Sequence, residues 1–74
     1  MALKETGMYS IVKIQVQFLT SNGKPIGDWR DQSHLNYPTD RLITSHMQTA
    51  KRCWKDARVR AVDENGRVVD MLYA

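Results

Sequence analysis

Val12, Ile14, Val16 and Phe18 alternate with Lys13, Gln15 and Gln17. A period of two is the pattern of a strand that buries one face and leaves the other open. A helix would scatter these side chains around its circumference, so the fold must be built on a sheet that includes this strand. The segment runs into Ser21-Asn22-Gly23-Lys24-Pro25, where Asn22 and Gly23 suit a tight turn, and the chain from Lys24 to Arg30 returns as the partner strand.

The register of this first hairpin has two solutions. A two-residue Asn22-Gly23 loop sets Gly27 opposite Phe18 and places Trp29 beside Val16, in the core. A three-residue loop ending at Gly23 sets Ile26 beside Phe18 and exposes Trp29. A slip of one residue turns every side chain to the opposite face. The first solution is preferred because it buries the tryptophan. Pro25 has no amide hydrogen for a ladder, so the second strand is expected at an edge.

Asp31 to Pro38 is polar and ends in a proline that keeps Tyr37 out of helical angles; it reads as a connecting loop. Beyond it, Ile43, Met47, Ala50, Trp54 and Ala57 recur at spacings of three and four, with Leu42, His46 and Cys53 alongside, which predicts an amphipathic helix. Thr39 fits its N-cap, with Asp40 in the first turn where a negative charge suits the helix dipole. Ser45 with Gln48 offers a rival capping box and a later start. On either view the helix is expected to reach about Asp56. Ala57–Asp63 and Arg67–Tyr73 then read as two strands around a turn with Gly66 in the left-handed position. Counting back from that turn pairs Ala61 with Val69, Val59 with Met71 and Arg60 with Asp70.

The predicted fold is therefore α+β, an antiparallel sheet in ββαββ order with one helix packed on one face. At 74 residues the chain has room for one such domain. Residues 1–8 are expected to form a flexible tail and residues 9–74 the domain. With 42% hydrophobic and 26% charged residues, the composition is that of a globular chain, and no apolar run approaches the roughly 20 residues that span a bilayer. Cys53 is the single cysteine, and the first ten residues lack the apolar stretch of a secretory signal, so a cytoplasmic location is expected.

Five cations crowd the junction of helix and third strand: Lys51, Arg52, Lys55, Arg58 and Arg60. The first three fall off the apolar stripe near the helix C-terminus, where cations suit the dipole. Arg58 and Arg60 alternate with Val59 and Ala61 and point to the open face of the sheet. A cluster divided between two surfaces is weaker than a continuous stripe as a phosphate-tracking groove. Single-strand binding on a sheet also needs exposed aromatic platforms, and Phe18, Trp54 and Trp29 are all assigned to the core. A net charge of +3 favours acidic partners mildly.

Catalytic signals are thin. His34 and His46 lie in different elements, Cys53 has no zinc-site companions, and Asp63 and Glu64 share a solvated turn. No enzyme activity, metal or cofactor is expected. One helix covers only part of a four-stranded sheet, since strands lie about 4.8 Å apart and a helix is about 10 to 12 Å across. The uncovered face is expected to carry Lys13, Gln15, Gln17, Leu19, Arg58, Arg60, Val62, Val68, Asp70 and Leu72. Mixed arginine and apolar surfaces suit protein interfaces. The candidate partner-binding residues are Arg52, Lys55, Arg58, Arg60, Lys13 and Gln15, facing a partner protein or complex or a second copy of the chain, with nucleic acid as the alternative partner.

The run TSHMQTAKRCWKDARVRAVDENGRVVD, about a third of the chain, resembles the helix, strand, Asn-Gly turn and strand of small phage-encoded accessory proteins. That group includes anti-CRISPR inhibitors and modulators of host RNA polymerase. The resemblance implies a protein that occupies a surface of a larger host machine in the host cytoplasm, without catalysis or cofactor. It carries over no individual site residue.

Overall fold

The computed structural model describes residues 9–72; the tail expected over residues 1–8 lies outside them. The elements run β1 (Ile11–Leu19), β2 (Pro25–Asn36), α1 (Asp40–Cys53), β3 (Ala57–Asp63) and β4 (Val68–Leu72). The strands form one antiparallel sheet in the order β2-β1-β3-β4, and the helix packs on one face of it. The predicted α+β architecture holds, with β2 at an edge as Pro25 requires.

The covered face is the alternation of β1 made solid. Val12, Ile14 and Val16 are fully buried beside Ala57, Val59 and Ala61 of β3 and meet Ile43, Met47 and Ala50 of the helix. Burying each such aliphatic side chain contributes roughly 1.5 to 3 kcal/mol. Thr39 caps the helix: its Oγ1 accepts from the Leu42 amide at 3.1 Å, which satisfies one of the unpaired donors of the first turn. The rival start at Ser45 is excluded, because Leu42 and Ile43 are helical.

The helix stops at Cys53, short of Asp56. The chain must reverse in three residues to start β3, and Lys51 ties that reversal by donating to the carbonyls of Lys55 at 2.8 Å and Ala57 at 2.7 Å. Ala57 thus joins the core from a strand rather than from the helix. Trp54, expected in the core, is 40% exposed. It stands edge-on to Phe18 with ring centroids 5.2 Å apart, and its Nε1 donates to Gln32 Oε1 at 3.1 Å.

Both hairpins depart from their preferred registers. In the first, Phe18 faces Ile26 and Leu19 faces Pro25, the solution with the three-residue loop. Gly23 alone takes a left-handed φ of 81° and donates to the Thr20 carbonyl, so the loop is a turn followed by one left-handed residue, not the paired left-handed turn that Asn-Gly also permits. A bulge follows around Gly27, whose φ is 70°, and a second falls between Ile14 and Gln15. Trp29 is therefore not in the core. β2 also continues to Asn36, so most of the polar segment expected as a loop is edge strand, with only Leu35 buried.

In the second hairpin Gly66 occupies the left-handed position as predicted, at φ 78°, and Asp63 Oδ1 accepts from the amides of Asn65 and Arg67 at 2.9 Å each. An irregularity between Ala61 and Val62 then shifts the ladder. Arg60 faces Met71, Ala61 faces Asp70 and Val59 faces Leu72. Leu72 packs against the core instead of lying on the open face, and Asp70 accepts from the Met71 amide rather than pairing with Arg60.

Candidate functional site

The uncovered side of the sheet is where the two corrections converge. Removing Asp70 leaves Arg60 without its expected carboxylate, and moving Trp29 out of the core brings it to the same place. The Arg60 guanidinium lies 4.1 Å from the Trp29 ring centroid and that of Arg58 lies 5.1 Å from it. Trp29 belongs to β2 and the arginines to β3, so the indole reaches across β1 to meet them.

Two glutamines of β1 set the geometry beneath. Gln17 donates through Nε2 to the Gly27 carbonyl at 2.9 Å, which turns its Oε1 toward Arg58, whose Nε donates to it at 2.8 Å. Gln15 repeats the arrangement one pair along: Nε2 donates to Asp31 Oδ1 at 2.8 Å and Oε1 accepts from Arg60 Nε at 2.8 Å. Each guanidinium is thus held from β2 through β1. The Gly27 bulge supplies a carbonyl that the regular ladder would have occupied.

Charge is left over. Among the described residues no carboxylate lies within ion-pair distance of Arg58 or Arg60, and Nη1 of both groups makes no hydrogen bond. Burial, then the charge of Arg58, lowers the pKa of Arg60 from its ordinary value. Same-face neighbours on a strand are about 7 Å apart, where like charges repel by roughly 0.5 to 2.5 kcal/mol between hydrated and half-buried settings. The Trp29 face offsets part of this, since cation–π contacts contribute about 0.5 to 1 kcal/mol at exposed sites.

The opposite end of the same face has a different character. Lys13 pairs with Asp31 at 3.8 Å, and His34 stands beside Lys13 on β2. The lining of a shallow cleft of about 460 Å³ there includes Lys13, Gln15, His34, Val62, Asp63 and Glu64. The Glu64 carboxyl is held below the usual carboxylate range chiefly by its own backbone amide, with the Ile11 amide assisting and burial opposing. The face is positive at the Arg58–Arg60 end and mixed at the other.

Of the sequence-predicted residues, Lys13, Gln15, Arg58 and Arg60 come together on this face. Arg52 and Lys55 do not join them. Arg52 is exposed on the helix, 3.4 Å from Thr49 Oγ1, and Lys55 is exposed in the turn that follows, its carbonyl accepting from Lys51. Sequence reasoning put Gln17 on this face without a role, preferred the register that buries Trp29 over the three-residue loop that exposes it, and missed Asp31. Among the described residues no three of His, Cys, Asp or Glu gather as a metal site, and no helix is long and apolar enough to cross a membrane. No family model, curated protein or solved structure matches the chain.

Proposed function

We propose that this protein is a non-enzymatic binding module that docks on a larger protein through the open face of its sheet. The observation that carries the reading is the Trp29–Arg58–Arg60 cluster: held by Gln15 and Gln17, without a carboxylate partner among the described residues, and on a face the helix leaves uncovered. Tryptophan and arginine are the residue types that dominate binding energy at protein interfaces. On the resemblance of the helix-to-strand run to phage accessory proteins, the proposed target is a host machine such as RNA polymerase or a CRISPR effector, which the chain would inhibit or modulate in the host cytoplasm.

The test is parallel affinity purification from bacterial lysate with the natural chain and with an Arg58→Glu/Arg60→Glu variant shown to keep its fold by circular dichroism. The expected result is one protein recovered in stoichiometric amount by the natural chain and lost by the variant. Recovery of none, or equal recovery by both, removes the reading.

Trp29 on the open face gives one specific reason for a second reading, a nucleic-acid-binding module, because a sheet-mounted aromatic beside arginines can stack a base. Asp31, Asp63 and Glu64 on or around the same face oppose a polyanion that continues past the arginines. This reading predicts affinity that falls with salt at a log–log slope near 0.7 to 0.9 per phosphate neutralised. Binding that ignores salt excludes it.

A further inference from the structure

We infer that Trp29, Arg58 and Arg60 form a receptor for carboxylate side chains, and that the occupant is an extended acidic segment of a partner protein with Asp or Glu at alternate positions. The inference rests on the docking reading above and goes further by naming what is docked.

The first argument is complementarity of charge. A guanidinium carries donors in a planar fork matched to a carboxylate, and these two use only part of that fork internally. Arg58 spends Nε and Nη2 on Gln17 and Arg60 spends Nε on Gln15, so Nη1 of Arg58 and both terminal nitrogens of Arg60 have no hydrogen bond among the described residues. An anion placed there also relieves the mutual repulsion of the two cations, which adds to burial in lowering the Arg60 pKa. The Trp29 ring provides an apolar wall at 4.1 Å from one guanidinium and 5.1 Å from the other, which shields the pairs from water and strengthens them.

The second argument is spacing. Arg58 and Arg60 are two apart on β3, so they repeat at about the 7 Å of alternate residues on any extended chain. Carboxylates at alternate positions of a strand-like segment meet both at once. A nucleic-acid strand fits less well. It supplies a longer row of charge, and beyond Arg60 that row meets Asp31, already bound to Gln15 and Lys13, and then the Asp63–Glu64 turn. A protein segment that is acidic at one end and basic or neutral at the other matches the whole face.

The experiment titrates the isotopically labelled full chain with three probes: a hexapeptide alternating glutamate and threonine, its counterpart with glutamine for glutamate, and hexathymidylate. The expected result is movement of the Arg58 and Arg60 Nε–H and Trp29 Nε1–H resonances with the acidic peptide alone. Arg60→Gln should weaken that binding roughly tenfold, the scale of one charge-assisted contact. Arg60→Lys, which keeps the charge and loses the fork, should also weaken it and serves if the glutamine variant fails to fold. Absence of movement, equal response to the glutamine peptide, or tighter binding of hexathymidylate overturns the inference. The two proposals fail separately. Peptide binding without capture from lysate keeps the receptor and removes the host-docking reading, whereas capture that is lost with Arg58→Glu/Arg60→Glu, with no response to the peptide, keeps docking through this face and removes the acidic-segment receptor.

Discussion

The two faces of β1 are made by neighbouring residues of one strand, yet different forces order them. On the covered side Val12, Ile14 and Val16 have no exposed surface and are positioned by packing against the helix and β3. On the open side Lys13, Gln15 and Gln17 are positioned by hydrogen bonds that run sideways from β2 to β3. Packing is indifferent to which partner fills the space so long as volume is conserved, whereas the open-side network is directional and ends in donors without a partner among the described residues. The covered face is what makes the chain fold. The open face is ordered by the fold without being needed for it, and that is the condition under which two adjacent arginines can be retained for recognition.

The sharpest way to break this comparison is on the packed side. Ile14→Ala should destabilise by about 2 to 5 kcal/mol, measured by urea denaturation, because Ile14 is completely buried at the centre of the sheet. In a domain this small such a loss approaches the whole stability. A value near zero would mean that the helix does not seal this face.

Next in size is the junction between the faces. Lys51→Ala should cost about 1 to 2 kcal/mol by the same measurement, since it frees the carbonyls of Lys55 and Ala57 that the ammonium now holds. Lys51→Arg should recover only part of this, the guanidinium being too long for the same pair of acceptors. The effect should be visible first as faster amide exchange in β3 near Ala57.

How much of this was legible in the sequence divides along the same line. The alternation of β1, the Thr39 cap, the stripe of Ile43, Met47 and Ala50, and the Gly66 turn all follow from local chemistry, and they suffice for the α+β fold. What escaped was register. The three-residue loop ending at Gly23 puts Trp29 on the open face instead of in the core, and the Gly27 bulge, an even shift of two residues, keeps it there. The shift after Ala61 took Asp70 away from Arg60. The first depends on the choice between two loop lengths and the second on an irregularity of the ladder, and alternation within a strand fixes neither. Over Asp31–Asn36 a twice-bulged edge strand buries almost nothing except Leu35, so its sequence carries the polar signature of the connecting loop expected from Asp31 to Pro38. Arg58, Arg60, Lys13 and Gln15 were placed correctly on the open face by parity alone, but the partner that makes a cluster of the arginines was not.

The smallest effect belongs to the far end of the open face. Lys13→Ala should change stability by less than about 1 kcal/mol, because its ion pair with Asp31 is 3.8 Å long and both side chains are well exposed. The difference should vanish in high salt, where exposed pairs are screened. A larger loss that persists in salt would show that the open face does contribute to folding after all.

The most direct test of the central claim is the unfolding free energy of the Arg58→Gln/Arg60→Gln double variant in urea. These substitutions remove the guanidinium bonds to Gln15 and Gln17 and the contacts with Trp29, but also remove the repulsion between the two cations. The account predicts a change of no more than about 1 kcal/mol in either direction. A loss comparable to that of Ile14→Ala would contradict it, because the arginines would then be part of what holds the sheet together.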